Sequence, residues 1–280
     1  MNNPLQEYFR NKEIFVKLPT RGNWMKDKPN LSAEHEIGVR PMTIADEMKL
    51  NIPDTLYNGE AMFDMIKSIA PDIPEPKQLA LPDIDVILLA SRAATYDKKM
   101  NVESRCPHCE SISEYEIDLP TVLNQINDNH NSIMIELQGG LTVCCKPNTL
   151  YAVSHLNTQK LKSSAILASI SQDETKATEE LKTVFKDNVE QIAAYRLASV
   201  QDGIDYIKTP EGEKVTDTQH ILDWLGSIDL QTVNKIETEQ QKLNGNGMPK
   251  EFDFTCSNSE CGKQFKGSVS YNPTFFFSNN

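Results

Sequence analysis

The stretch "RCPHCES" (Arg105–Ser111) decides what kind of protein to expect. A Cys-x-x-Cys quartet serves either as the reactive pair of a thioredoxin-like oxidoreductase or as half of a metal clamp. The redox version opens a helix, whose positive N-terminal end lowers the pKa of the first thiol. Here the following residues, "SISEYEIDLP", place Ile112, Tyr115, Ile117 and Leu119 in imperfect alternation, which predicts a strand. A second pair stands far downstream in "TCSNSECGKQF" (Thr255–Phe265), and Cys256 and Cys261 are again followed by strand-forming residues. Two cysteine-bearing turns that each run into a strand are the halves of a zinc ribbon. Four thiolates fill the tetrahedral shell of zinc and leave no open position, so such a site is structural. The expected ligands are Cys106, Cys109, Cys256 and Cys261. Gly262 suits the tight turn in which backbone N–H groups point at sulfur.

The two spacings differ: two residues lie between Cys106 and Cys109, and four between Cys256 and Cys261. The pairs are 146 residues apart, which is tolerable because loop-closure entropy grows only logarithmically with length. A degenerate site that binds nothing and a redox pair stay open beside the favoured zinc site. Cys144 and Cys145 are adjacent on a predicted strand and point to opposite faces, so they are expected in packing roles. His108 reads as an exposed turn residue, and His35, His130, His155 and His220 show no metal spacing.

Composition narrows the classes. The 280 residues are 39% hydrophobic and 24% charged, which suits a globular protein with a sizeable core. The net charge of −12 argues against nucleic-acid or membrane-surface binding, which both need cationic faces. No apolar run reaches the roughly 18–20 residues that a bilayer span needs, and "MNNPLQEYFRNKE" has no signal-peptide core. Residence in a reducing cytoplasm is therefore expected, where paired cysteines signify metal or redox chemistry rather than disulfides. No phosphate-cradling glycine loop, nucleophile elbow or Cys–His pair with a third partner is visible, so no enzyme is expected.

Along the chain, "EIFVKLP" and "HEIGVRPM" predict strands, and "MTIADEMKL" a helix in which Thr43 and Asp46 form a capping box. Further helices are expected over Ala61–Ala70 and Asp83–Asp97, the latter with a buried stripe of Ile84, Ile87, Leu88 and Ser91. "SIMIELQGGLTVCCKP" predicts a hairpin with a two-residue turn at Gly139–Gly140. Everything from Asn157 to Leu243 has a helical pattern, with Leu181, Val184, Phe185, Val189, Ile192, Ala193 and Arg196 on one stripe. "NGNGMP" (Asn244–Pro249) reads as a small linker. The expected fold class is α+β: a mixed β platform with a split zinc ribbon and an inserted helical bundle. The domains are expected at 1–105 (β-rich and helical), 106–156 (first knuckle and hairpin), 157–249 (helical insert) and 250–280 (second knuckle and tail).

The succession "KLPTRGNWM", "VRPMTIADEMKL", "DIDVILLASRAATYD" and "CPHC" resembles the baseplate hub proteins of T-even-type contractile-tailed phages. In that family a Leu-Pro-Ser/Thr-x-Gly loop precedes a "pMT-x-x-DE-x-L" helix, and an Asp-initiated helix with an Arg and a Tyr leads to a Cys-x-x-Cys pair. The late cysteine pair and "NPTFFF" fit the same pattern, while Asp97 and Glu110 stand where the family often has Gly. The resemblance implies a structural subunit or assembly factor of the tail baseplate hub. Its partners would be other hub, wedge or tail-tube-initiating proteins. Its place would be the virion, after assembly in the host cytoplasm. Asp46 and Glu47 are then candidates for contact with a neighbouring subunit, and Phe275, Phe276 and Phe277 for packing on the chain itself or on a partner. A cytosolic zinc-ribbon adaptor and, further off, a Cys-x-x-Cys thiol oxidoreductase are the alternatives.

Overall fold

A computed structural model describes residues 3–50, 60–127, 131–156, 158 and 179–269. The fold is α+β, with helices and several small antiparallel sheets. Strands β1 (Ile14–Lys17) and β2 (Glu36–Val39) form one pair, β3 (Lys99–Arg105) and β4 (Ile112–Asp118) a second, and β9 (Glu251–Thr255) and β10 (Gln264–Ser268) a third. A four-stranded sheet runs in the order β5 (Ile133–Glu136), β6 (Thr142–Cys145), β7 (Ile204–Lys208) and β8 (Lys214–Val215).

The Leu81–Thr95 helix is the centre of the first core. Beyond the expected stripe it also buries Val86, Leu89 and Ala90, because β1, β2 and the Leu119–Asn124 and Leu230–Asn244 helices surround it. Burying a side chain the size of Val86 or Leu89 stabilises by about 1.5–3 kcal/mol. The Glu60–Ile69 helix adds Met65, Ile66 and Ile69, and Phe254 and Phe265 close the core from the C-terminal hairpin.

The loop "LPTRG" is fastened to this helix by a buried carboxylate. Thr20 N–H donates to Asp83 Oδ1 at 2.8 Å, and the Thr20 hydroxyl donates to Asp83 Oδ2. Burial pushes the Asp83 carboxyl up to about 6, although both Thr20 hydrogen bonds pull the other way. Gly22 is at φ +65°, and a Cβ there would lie 2.6 Å from Pro29 Cδ, so the loop needs glycine at this point.

A second core gathers Ile135, Val143, Cys145, Ile204 and Ile207 from the four-stranded sheet with Ile221, Leu225, Val233 and Ile236 from two helices. Those helices, Thr218–Ser227 and Leu230–Asn244, are capped by Asp217 and Asp229 and break near Gly226–Asp229 as expected. The all-helical expectation for Asn157–Leu243 is corrected by β7 and β8. Ile204, Tyr206 and Ile207 favour a strand, the chain reverses through Thr209–Gly212, and β6 supplies the partner ladder. In the long helix Glu179–Asp202, Val189 and Ala193 of the expected stripe are exposed. The side chains of Leu181, Val184 and Phe185 lie outside the described residues.

Two smaller expectations also change. The β5–β6 hairpin turns through three residues, Gln138–Gly140, because Leu137 N–H already pairs with Leu141 O at 2.9 Å. "NGNGMP" is no loose linker: Met248 is buried in the first core, and Gly247 lies so close to Pro82 and Pro19 that a Cβ would crowd both. Phe275, Phe276 and Phe277 lie outside the described residues.

Candidate metal centre

Each cysteine pair sits at the tip of a β-hairpin, one between β3 and β4 and the other between β9 and β10. The two tips are built alike. Cys106 N–H bonds Ser111 O and Cys256 N–H bonds Lys263 O, both at 2.9 Å, closing each loop at its base. After the second cysteine the backbone turns through the left-handed region, at Glu110 (φ +59°) and Gly262 (φ +53°). That turn aims the next amide at sulfur, Ser111 N–H at Cys109 and Lys263 N–H at Cys261.

The hairpins are brought tip to tip by their flanks. Tyr115 of β4 stacks on Phe254 of β9, with ring centroids 4.5 Å apart, and meets the edge of Phe265 of β10. Gly267 lets β10 approach β3: a Cβ there would lie 2.5 Å from Ser104 Oγ.

The outcome is a cluster of four thiols. The sulfurs of Cys106, Cys109, Cys256 and Cys261 all lie within 4.8 Å of one another, with Cys109 to Cys256 at 3.5 Å and Cys106 to Cys261 at 4.0 Å. Ligands of a tetrahedral zinc, each about 2.3 Å from the ion, stand about 3.8 Å apart. The cluster therefore suits a metal ion in spacing and in donor type. Cys106 and Cys256 are buried, Cys261 is half-buried and Cys109 is exposed.

Ser111 belongs to this centre, although the sequence reading passed over it. Its hydroxyl lies 3.0 Å from Cys109 Sγ and 3.5 Å from Cys256 Sγ. The Ser111 hydroxyl, helped by its N–H, holds the Cys109 thiol down at about 6. Asn258 Nδ2 reaches the same sulfur at 4.0 Å. A polar residue two places after the second cysteine was the available signal.

The other thiols stand apart. Cys144 and Cys145 are buried in β6, and burial pushes the Cys145 thiol up to about 12. His108 is exposed at its tip. The capping box forms as expected: Asp46 N–H bonds Thr43 Oγ1 at 3.2 Å, and Thr43 N–H bonds Asp46 Oδ2 at 2.9 Å. Asp46 itself is turned inward onto Arg10 and Ser68, so it is not available to a neighbouring subunit.

A family model described as "T4 bacteriophage base plate protein" matches residues 12–277. The chain belongs to that family. The matched region includes both cysteine pairs and all that lies between them. No curated protein and no solved structure matches the chain. As a T4-type base plate protein it has a structural role in the phage tail, alongside other base plate proteins. Among the described residues no helix is long and apolar enough to cross a membrane.

Proposed function

We propose that the chain is a subunit or assembly factor of the base plate hub, and that Cys106, Cys109, Cys256 and Cys261 hold one structural zinc. The convergence of four sulfurs from two distant hairpins is the observation that carries the zinc reading. Zinc there would join β3–β4 to β9–β10, which share no backbone ladder. A closed tetrathiolate shell offers no site for substrate, so the protein would work through its surfaces. The hub assignment is supported by the order of the "KLPTRG", "MTIADEMKL" and "CPHC" motifs within a base plate protein. Hub, wedge or tube-initiating proteins are the partners proposed, met in the host cytoplasm during assembly and kept in the virion.

Metal analysis of protein purified without chelator is expected to give one zinc per chain. Cys106→Ser or Cys256→Ser should release it, because binding and folding are linked at such a site. Metal-free wild-type protein would sink the zinc reading. A mass-spectrometric inventory of virions, with pairwise co-purification against hub and wedge proteins, tests the assignment. Selective recovery with wedge proteins alone would overturn the hub reading. For domain mapping we propose boundaries at 1–105, 106–156, 157–249 and 250–280. The β3–β4 ladder crosses the first of them and the β6–β7 ladder the second, so a protease cut at either is expected to leave the flanking segments associated.

A further inference from the structure

The four cysteines of the cluster differ in what can reach them. Cys109 is exposed, and Pro107, His108 and Glu110 around it are exposed as well, so a small solute meets its sulfur directly from water. Cys106 and Cys256 are buried in the first core. The sulfurs are also paired by distance. Cys109 Sγ stands 3.5 Å from Cys256 Sγ, and Cys106 Sγ stands 4.0 Å from Cys261 Sγ. Both contacts run from one hairpin to the other, so each couples a shielded sulfur to a more accessible one across the gap.

The two tips are held together by more than their sulfurs. Tyr115 packs on Phe254 and Phe265, Gly267 lies against Ser104, and the Ser257 hydroxyl donates to that of Ser113. Ser111 Oγ sits beside both members of the nearer sulfur pair, 3.0 Å from Cys109 and 3.5 Å from Cys256. The first turn is fixed by its own backbone, with Glu110 N–H bonded to Cys106 O and Cys106 N–H to Ser111 O, both at 2.9 Å. Joining Cys109 to Cys256 requires the sulfurs to close by about 1.5 Å, which is within the swing of two cysteine side chains.

We propose that Cys109 is an oxidation site, at which hydrogen peroxide converts the metal clamp into a disulfide clamp, Cys109 to Cys256, that still joins the two hairpins. The inference rests on the zinc reading above, under which all four sulfurs are thiolates. The Cys109 thiolate attacks one peroxide oxygen. The S–O bond forms, the O–O bond breaks, and hydroxide leaves and takes a solvent proton to become water. The Cys256 thiolate then attacks the sulfur of this sulfenic acid. The S–S bond forms, the S–O bond breaks, and a second hydroxide leaves as water with a second solvent proton. Two electrons pass from the two sulfurs to one peroxide. Two thiolates are left where four closed the tetrahedral shell, so the site releases its ion. A second peroxide joins Cys106 to Cys261 by the same two steps. The place proposed for the chain, in the virion, takes it from a reducing cytoplasm to an oxidising exterior. There a clamp made by metal alone would open on oxidation, whereas cross-hairpin pairing keeps the hairpins linked.

The test titrates the full chain, purified without chelator, with hydrogen peroxide. Released zinc is read with a colorimetric chelator, remaining thiols are alkylated, and unreduced peptides are mapped by mass spectrometry. Loss of the zinc in step with a Cys109–Cys256 linked peptide is expected, while Cys144 and Cys145, buried in β6, stay reduced. Hydrogen exchange in β3, β4, β9 and β10 of the oxidised chain should stay closer to the metal-loaded rates than it does after chelation of the reduced chain. A dithiol with added zinc should restore the metal. A first disulfide within one turn, Cys106–Cys109 or Cys256–Cys261, overturns the proposal. So does a disulfide between two chains, or over-oxidation of Cys109 with no disulfide formed. Zinc that stays bound through the titration overturns it too. A chain that carries zinc and gives any of these results sinks this inference alone, whereas a chain purified without zinc sinks the zinc reading and this inference together.

Discussion

Glu110 and Gly262 occupy the same place in two turns built alike, each one residue after the second cysteine of its pair, and both lie in the left-handed region. Glycine enters that region freely, whereas a residue with a Cβ meets its following carbonyl at a cost of roughly 1–2 kcal/mol. Nothing in the first turn requires a side chain at this position: Glu110 is exposed, and the contact that shapes the site is made by the next amide. Glu110→Gly is therefore expected to stabilise the protein by about 1 kcal/mol without changing its metal content. The gain is partly offset by the extra freedom of glycine in the unfolded chain. Chemical denaturation of the two proteins checks it, and a destabilised variant would mean that Glu110 has a role the turn does not reveal. Asp83 shows the limit of sequence reading at this scale. The helix position was legible, but the partner, Thr20, lies 63 residues away in a loop, and nothing local announces that a carboxylate will be buried.

Burial of that carboxylate also sets a pH dependence at the level of the elements it joins. An unfolded aspartate titrates near 3.9, and Asp83 is pushed up to about 6, so the folded protein binds this proton more tightly. The stabilising contribution is therefore full below about pH 4 and is lost as pH rises through about 6. Asp85, raised to about 7 by burial against the pull of Lys250, acts in the same direction. Asp83→Asn keeps an acceptor for Thr20 N–H, and its amide can donate to the Thr20 hydroxyl. Its melting temperature should change less between pH 5 and 8 than that of the wild type, and an unaltered profile would sink the linkage. Gly267 makes a second test between elements. An added Cβ would lie 2.5 Å from Ser104 Oγ and 2.7 Å from the Phe254 ring, so Gly267→Ala should cost roughly 1–3 kcal/mol and separate the hairpins. Unchanged stability would show that the hairpins do not need this close approach. Strands next to cysteine turns were readable because β-branched and aromatic residues alternate there. Strands β7 and β8 were not, since a five-residue and a two-residue strand between long helices gain their stability from the ladder with β6.

At the scale of the whole molecule the chain has two cores, and the cysteine cluster belongs to only one of them. Cys106 and Cys256 are buried in the first, while the second, built on the four-stranded sheet, contains Cys145 but no member of the cluster. The cores meet at a backbone contact, Leu81 N–H to Asn148 O at 2.9 Å. On the second core's side Asn148 is held by Asn244, through Asn148 N–H to Asn244 Oδ1 and Asn244 Nδ2–H to Asn148 Oδ1, both at 2.8 Å. A ligand that binds only the folded form stabilises it by about 1.4 kcal/mol for each tenfold rise in its free concentration above Kd. On the proposed zinc reading that gain falls on the first core. Chelation should therefore speed amide exchange in β3, β4, β9 and β10 strongly and leave β5, β6 and β7 close to their metal-loaded rates. Cys145, whose thiol is buried and pushed up to about 12, should stay unreactive to thiol reagents while Cys106 and Cys256 become accessible. Hydrogen exchange for the strands and thiol alkylation for the cysteines, both read by mass spectrometry with and without chelator at one pH, make the two measurements on the full chain. Equal acceleration in all the strands would show that the two cores unfold as one. No acceleration at the hairpins would show that the aromatic contacts of Tyr115, Phe254 and Phe265 hold them together without metal.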